Sequence, residues 1–365
     1  MALDRIEISG FKSIREMNLQ LGPLNVLIGA NGAGKSNLVA AFGLLNQVIE
    51  GRLQVAVARA GGAASWLHFG PKRTTAIEVK LHFGASGYAA RIEAAEDGTL
   101  FFEDERCWRT GPHYDSPFTV HLGSGGHRET GLPAEARRFP GLIADHVLHT
   151  LRSWKVYHFH DTSPSAGVKQ KGKLDDNLAL RPDASNLAAF LYLLRATAEP
   201  AYRRIIAAVR QVAPFLEDLQ LRPDPLNPDS IQLEWREVGS DDYFNGHTLS
   251  DGTLRFLCLA TLLLQPVPPS LVLIDEPELG LHPFAITQIA AMLESAATRT
   301  QILVATQSVT LIDQLDPGVV VIVDRAAGQS TFRRVTSEEV AAWEDEYALG
   351  EIWMKNVIGG RPQPA

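Results

Sequence analysis

One segment limits this chain more than any other. Leu24-Asn25-Val26-Leu27-Ile28, a short buried-strand pattern, runs straight into Gly29-Ala30-Asn31-Gly32-Ala33-Gly34-Lys35-Ser36. Those eight residues fit G-x-x-x-x-G-K-[ST] at every position. From Lys35 to Ile49, Leu38, Val39, Phe42, Leu45 and Ile49 recur at helical spacing. The loop is therefore expected to wrap a phosphate with its N–H groups through Gly29, Asn31, Gly32, Ala33 and Gly34, at the positive end of a helix dipole. Lys35 is expected to reach the β- and γ-phosphates and Ser36 to ligate Mg²⁺, with Asn37 beside them in the first turn. A glycine-rich turn that binds nothing is the alternative, but strand before and helix after are the context the motif requires.

Two further segments complete a nucleotide site. Leu271-Val272-Leu273-Ile274 is a β run that delivers Asp275 and Glu276 at its end. Asp275 is expected to hold Mg²⁺, and Glu276 to orient and deprotonate the attacking water; capping a following helix is the other common use of such acids. Leu249-Ser250-Asp251-Gly252-Thr253 opens an apolar helix over about 254–264, in which Ser250 reads as an N-cap. A helix near 284–296 leads to a strand at 301–305 and then to Thr306-Gln307-Ser308.

Alternation predicts strands at 3–8 and 17–21. From 51 to 153 the character changes, because 76–83 and 88–94 alternate and are broken by Gly and Asp-Gly turns, predicting an inserted antiparallel β-rich lobe. Helices are predicted at 141–151, 186–197 and 199–213, and strands at 156–159, 216–221 and 230–238. The expected division is an α/β head from 1–50 and 154–335 with a mixed central sheet and a helical lobe at about 175–264, the insert 51–153, and a helical tail 336–365. In that tail Glu338-Glu339 and Glu344-Asp345-Glu346 read as charged helix faces. No sustained heptads argue for a coiled-coil arm.

With 365 residues, 45% hydrophobic, the chain can bury a large core. A net charge of −8 leaves no general nucleic-acid coat, so any such contact needs a local patch. Lys169, Lys171 and Lys173 form the densest basic stretch, expected to be a polar loop poorly ordered without a partner. Two cysteines, Cys107 and Cys258, a charged N-terminus and no apolar run that spans a bilayer suggest a cytoplasmic chain without a membrane segment. His158, His160 and Asp161 are explained better by strand alternation than by a transition-metal site.

Phosphate loop, LSDGT, LVLIDEPELGLHP and ATQS, in that order, resemble the ATPase head of the ABC superfamily. Ser9-Gly10-Phe11-Lys12-Ser13-Ile14 and Asp275-Glu276-Pro277-Glu278-Leu279-Gly280-Leu281-His282-Pro283 resemble its RecF, SMC and OLD branch, most closely the stand-alone OLD-like ATPases of bacteria. The resemblance runs from residue 2 to about 325, loosely over 51–150. It implies an ABC-type P-loop fold and adds Lys12 and Ser13 to the nucleotide site. It also implies a homodimer that sandwiches two ATP molecules, in which Ser250, Asp251, Gly252 and Thr253 of one chain cap the γ-phosphate held by the other. Asp251 and Thr253 depart from the transporter LSGGQ, and Asp251 is expected to point away from phosphate. Gln307 stands where transporters usually have His; a neutral amide cannot become charged, so hydrolysis is expected to be slow. His160 is the Q-loop candidate, an ordinary strand-end histidine being the alternative.

These features imply an ATP- and Mg²⁺-dependent switch acting with a partner protein, such as a nuclease or effector, in DNA maintenance or defence against foreign DNA. DNA itself remains an open alternative as a partner. The rivals are a RecF-like repair ATPase and an ATP-held binding module with very slow turnover. An OLD-type ATPase–nuclease is disfavoured because the residues after Gln307 hold no D-x-D.

Overall fold

The computed structural model describes residues 1–111, 116–343 and 346–361. The chain opens with β1 (Arg5–Phe11), β2 (Ile14–Gln20), β3 (Leu24–Ile28) and α1 (Lys35–Ile49). After these come β4 (Ala76–Phe83), β5 (Ser86–Ala94), β6 (Leu100–Arg109), β7 (Phe118–His121) and β8 (Trp154–Tyr157).

Two six-stranded sheets result, with α1 between them. One is antiparallel in the order β2-β1-β4-β5-β6-β7. The other runs Gln329–Arg334, Val320–Ala326, β3, Gln301–Ala305, Leu271–Asp275, β8, and is parallel apart from its first strand. β3 is buried at every position. Its alternation divides it between two cores: Leu27 faces Leu38 and Phe42 of α1, while Val26 and Ile28 face the helices beyond. That second face is covered by Leu187–Thr197, Glu199–Val212, Asp251–Leu264 and Pro283–Ala297. The architecture is mixed α/β, one sheet antiparallel and the other largely parallel.

Strands of the 51–153 stretch do not stand apart; β4 pairs directly with β1, so N-terminal strands and insert share one sheet. Two helices that the pattern did not predict, Leu53–Arg59 and Leu132–Arg138, also lie in this stretch. The first is capped from a distance, since Glu129 accepts hydrogen bonds from the N–H groups of Leu53 (2.8 Å) and Gln54 (3.0 Å). In the 336–365 stretch, Ser337–Val340 and Leu349–Met354 are short helices. Glu344 and Asp345 lie outside the described residues.

The basic stretch departs from expectation. Lys169 is 5% exposed and donates from Nζ to Thr162 O at 2.6 Å and to Asp251 Oδ1 at 3.3 Å. Lys171 pairs with Asp224, and Lys173 lies in a short strand paired with Ser230. An alternating Lys run reads as solvent loop from composition, whereas here its first member is an internal tie. Among the described residues no helix is long and apolar enough to cross a membrane.

Candidate nucleotide site

At the C-terminal end of β3 the backbone turns tightly enough to require glycine. A Cβ at Gly34, whose φ is 121°, would stand 2.0 Å from Ser330 Oγ, and one at Gly29 would stand 2.1 Å from Val323 O. The loop is braced from outside. Ser330 Oγ donates to Ala33 O at 2.5 Å and meets Ser13 Oγ at 2.6 Å, while Asn37 Nδ2 donates to Ser13 Oγ at 2.6 Å. Ser13 and Asn37 thus hold the loop to its neighbours. Lys12 lies over the Trp66 ring, 4.8 Å from its centroid, and burial lowers its pKa.

Lys35 is buried, and its Nζ donates to Gly29 O at 2.6 Å and Ala30 O at 3.2 Å. Burial pulls its pKa down against the opposing charges of Glu276, Asp275 and Glu278. Asp275 moves the other way: burial and Glu276 raise its pKa, against His158, His160 and Lys35. Opposite charges are thus set against each other at this end of the parallel sheet. Ser36, Asp275 and His158 line one groove of about 710 Å³ beside α1. His160 Nε2 lies 2.9 Å from the Asp275 carbonyl oxygen, so its ring touches the backbone of that strand end rather than the groove. His158, which the sequence offered no reason to choose over His160, is the histidine in the groove.

The acids and Gln307 are joined. Gln307 Nε2 donates to Glu276 Oε1 at 3.0 Å. Glu276 has a left-handed backbone, φ 46°, at the turn that leaves the strand.

Ser250 is exposed and caps its own helix, its Oγ accepting from Thr253 N–H at 3.1 Å. Asp251 follows it. Burial pushes the Asp251 carboxyl up, but hydrogen bonds from Thr162 and Lys169 and the charges of Lys169 and Arg255 outweigh this and hold it below its ordinary pKa. Gly252 packs on the turn after Asp275-Glu276, where a Cβ would stand 2.8 Å from Gly280 O. Arg255, which no sequence signal singled out, ties three segments together. It donates to Phe159 O (3.2 Å), His160 O (2.8 Å) and Leu279 O (3.0 Å).

Two family models match. Residues 133–313 match "AAA domain, putative AbiEii toxin, Type IV TA system", and residues 1–59 match "AAA ATPase domain". The chain is 24% identical to the OLD nuclease of Thermus scotoductus over 98% of its own length and 68% of that protein. It is 38% identical to the DNA replication and repair protein RecF of Magnetococcus marinus, over 25% of this chain and 24% of that one. The chain thus spans about a quarter of that RecF protein. The fold matches an Smc head bound to the C-terminal winged-helix domain of ScpA, with a TM-score of 0.62 at 17% identity over 94% of this chain and 100% of that one. It also matches an Smc head with an extended coiled coil, bound to the C-terminal domain of ScpA and derived from Pyrococcus furiosus, with a TM-score of 0.58 at 16% identity over 94% and 98%.

Together these likenesses support an OLD-like, RecF- and SMC-type ABC ATPase.

ATPases of this family generally use Mg²⁺ with ATP, and the donors here suit that ion. Ser36 and Asp275 bring a hydroxyl and a carboxylate, hard oxygens, to one groove, where Mg²⁺ is usually held by one or two protein oxygens plus phosphates and water. Among the described residues no group of three or more His, Cys, Asp or Glu is placed to hold a metal by itself.

Proposed function

We propose that this chain binds and slowly hydrolyses ATP, and that ATP bridges two copies of it as a nucleotide switch. The observation that carries this reading is that the loop leaving β3, with Lys35 held to Gly29 O, and the strand ending in Asp275-Glu276 lie in one parallel sheet and present these residues at the same end of it. Gly29 to Gly34 cradle the phosphates, Lys35 leaves its loop carbonyls to meet them, and Lys12 adds positive charge at the rim. Ser36 and Asp275 would hold Mg²⁺, which would supply positive charge against the phosphates. Glu276 takes the proton of the attacking water, and Gln307, already bonded to it, orients both. Because Gln307 cannot carry a charge, turnover is slow.

Ser250 to Thr253 stand at the start of a 14-residue helix whose N-terminal N–H groups form an anion site. Ser250 is exposed at that helix start, which supports its service to a second chain. A two-fold pair would then complete two sites. Head segments 1–50 and 154–335 carry this chemistry. The likeness to OLD nuclease and RecF favours a role in DNA maintenance or defence with a partner protein.

Sedimentation with ATP and ADP tests the reading. Glu276→Gln should slow hydrolysis by roughly 10²–10⁴-fold and accumulate dimer in ATP. Adding Ser250→Arg should disperse that dimer, and Lys35→Ala should abolish nucleotide binding or turnover. Undiminished ATP affinity and turnover in Lys35→Ala would remove the phosphate site; monomers in every state would remove the sandwich.

A further inference from the structure

Glu278 follows the two strand-end acids by one turn, and the nucleotide reading gives it no task. Its Oε1 accepts two hydrogen bonds, from Thr306 Oγ1 at 2.7 Å and from the backbone N–H of Gln307 at 2.9 Å. Gln307 in turn reaches Glu276 with its side-chain amide. Glu276 and Glu278 belong to one turn, closed by Leu279 N–H donating to Glu276 O at 3.2 Å. The backbone of Gln307 is thus bound to one acid and its side chain to the other, a closed ring. Thr306 anchors that ring: it is fully buried, and its N–H donates to Leu27 O of β3 at 3.0 Å. Its hydroxyl also accepts from Ser308 N–H at 3.0 Å.

A second general base is a poor description of Glu278. One of its oxygens already serves two donors, and the other is buried. Glu276, at the strand end, accepts a hydrogen bond from the Gln307 side chain. We infer that Glu278 is a positioning residue: it fixes the Gln307 backbone so that the amide holds Glu276 and the attacking water in line. This rests on the ATPase reading above and deepens it. A displacement of about 1 Å in such a site can cost on the order of 10²-fold in rate, so a brace of this kind is large enough to measure.

The test compares Glu278→Ala with Glu278→Gln. Alanine should lower kcat by roughly 10–10²-fold with KM for ATP within about threefold, because the phosphate loop is untouched. Glutamine keeps an oxygen that accepts both bonds, so it should recover most of that loss. In a Gln307→Ala background, Glu278→Ala should add little, since both changes remove the same positioning. Losses that multiply, or a glutamine variant as slow as alanine, would overturn the inference. Hydrogen exchange without nucleotide supplies the independent arm: the Gln307 amide should lose protection in Glu278→Ala and keep it in Glu278→Gln. Unchanged exchange in the alanine variant would refute the brace even if the wild-type chain hydrolysed no ATP, a result that would instead refute the ATPase reading. Where the alanine variant does not fold, Glu278→Asp, one methylene shorter, takes its place.

Discussion

Arg255→Ala should separate nucleotide binding from nucleotide-driven assembly. The guanidinium on the Asp251–Leu264 helix donates to the carbonyls of Phe159, His160 and Leu279. It thereby ties the helix that carries Ser250 to the segment after β8 and to the turn after Glu276. Hydrogen bonds from a charged donor contribute about 1.5–3 kcal/mol each. Arg255 is only half-buried, so water can replace part of what is lost, and we expect a total near 2–4 kcal/mol rather than the full sum. Urea unfolding followed by fluorescence would measure that loss. Calorimetry should find ATP affinity of the single chain within about threefold of wild type, since β3, the loop and α1 make none of these bonds; in sedimentation, the ATP-dependent dimer should weaken sharply. Arg255→Lys should fall between, because one ammonium cannot serve three carbonyls in a fixed fork. Wild-type stability with wild-type dimerisation would refute the reasoning.

Three more outcomes follow from local geometry. Asp275→Asn should abolish turnover yet stabilise the nucleotide-free chain at neutral pH: burial and Glu276 raise the folded pKa of Asp275, so its ionisation opposes folding as pH rises through that value. Urea midpoints across pH should show this advantage shrinking as pH falls through the raised folded pKa and gone once pH is below the ordinary aspartate range; an advantage that grows as pH falls would contradict it. Lys169→Met should cost about 1–3 kcal/mol, since Thr162 O loses its donor and Asp251 its cation, and an unchanged urea midpoint would show the tie to be idle. Gly34→Ala should cost about 1–3 kcal/mol for the left-handed backbone alone and also weaken ATP binding, because a Cβ would displace Ser330 from Ala33; thermal melts and calorimetry on the same sample check both.

What the sequence determined by itself was local. β3, the glycine loop and α1 are contiguous, and each is specified by its own period and by glycines whose backbone other residues cannot adopt. Asp275 and Glu276 were likewise legible, because a short apolar run followed by acids marks a strand end. What only the tertiary structure decided is which distant groups meet. No pattern announces that Glu129 caps the helix at Leu53, that Lys169 leaves solvent to join Asp251, or that β4 crosses the chain to pair with β1. His158 and His160 are equivalent to any periodicity, and only packing turns one to the groove and the other to the Asp275 backbone. Arg255 reads as an ordinary charged residue, and Glu278 as one more acid of its motif, until the carbonyls and N–H groups they bind are brought to them. Hydrogen-bond partners of buried polar groups are chosen by spatial proximity, and proximity across many residues depends on how sheets and helices pack, which short-range patterns do not encode.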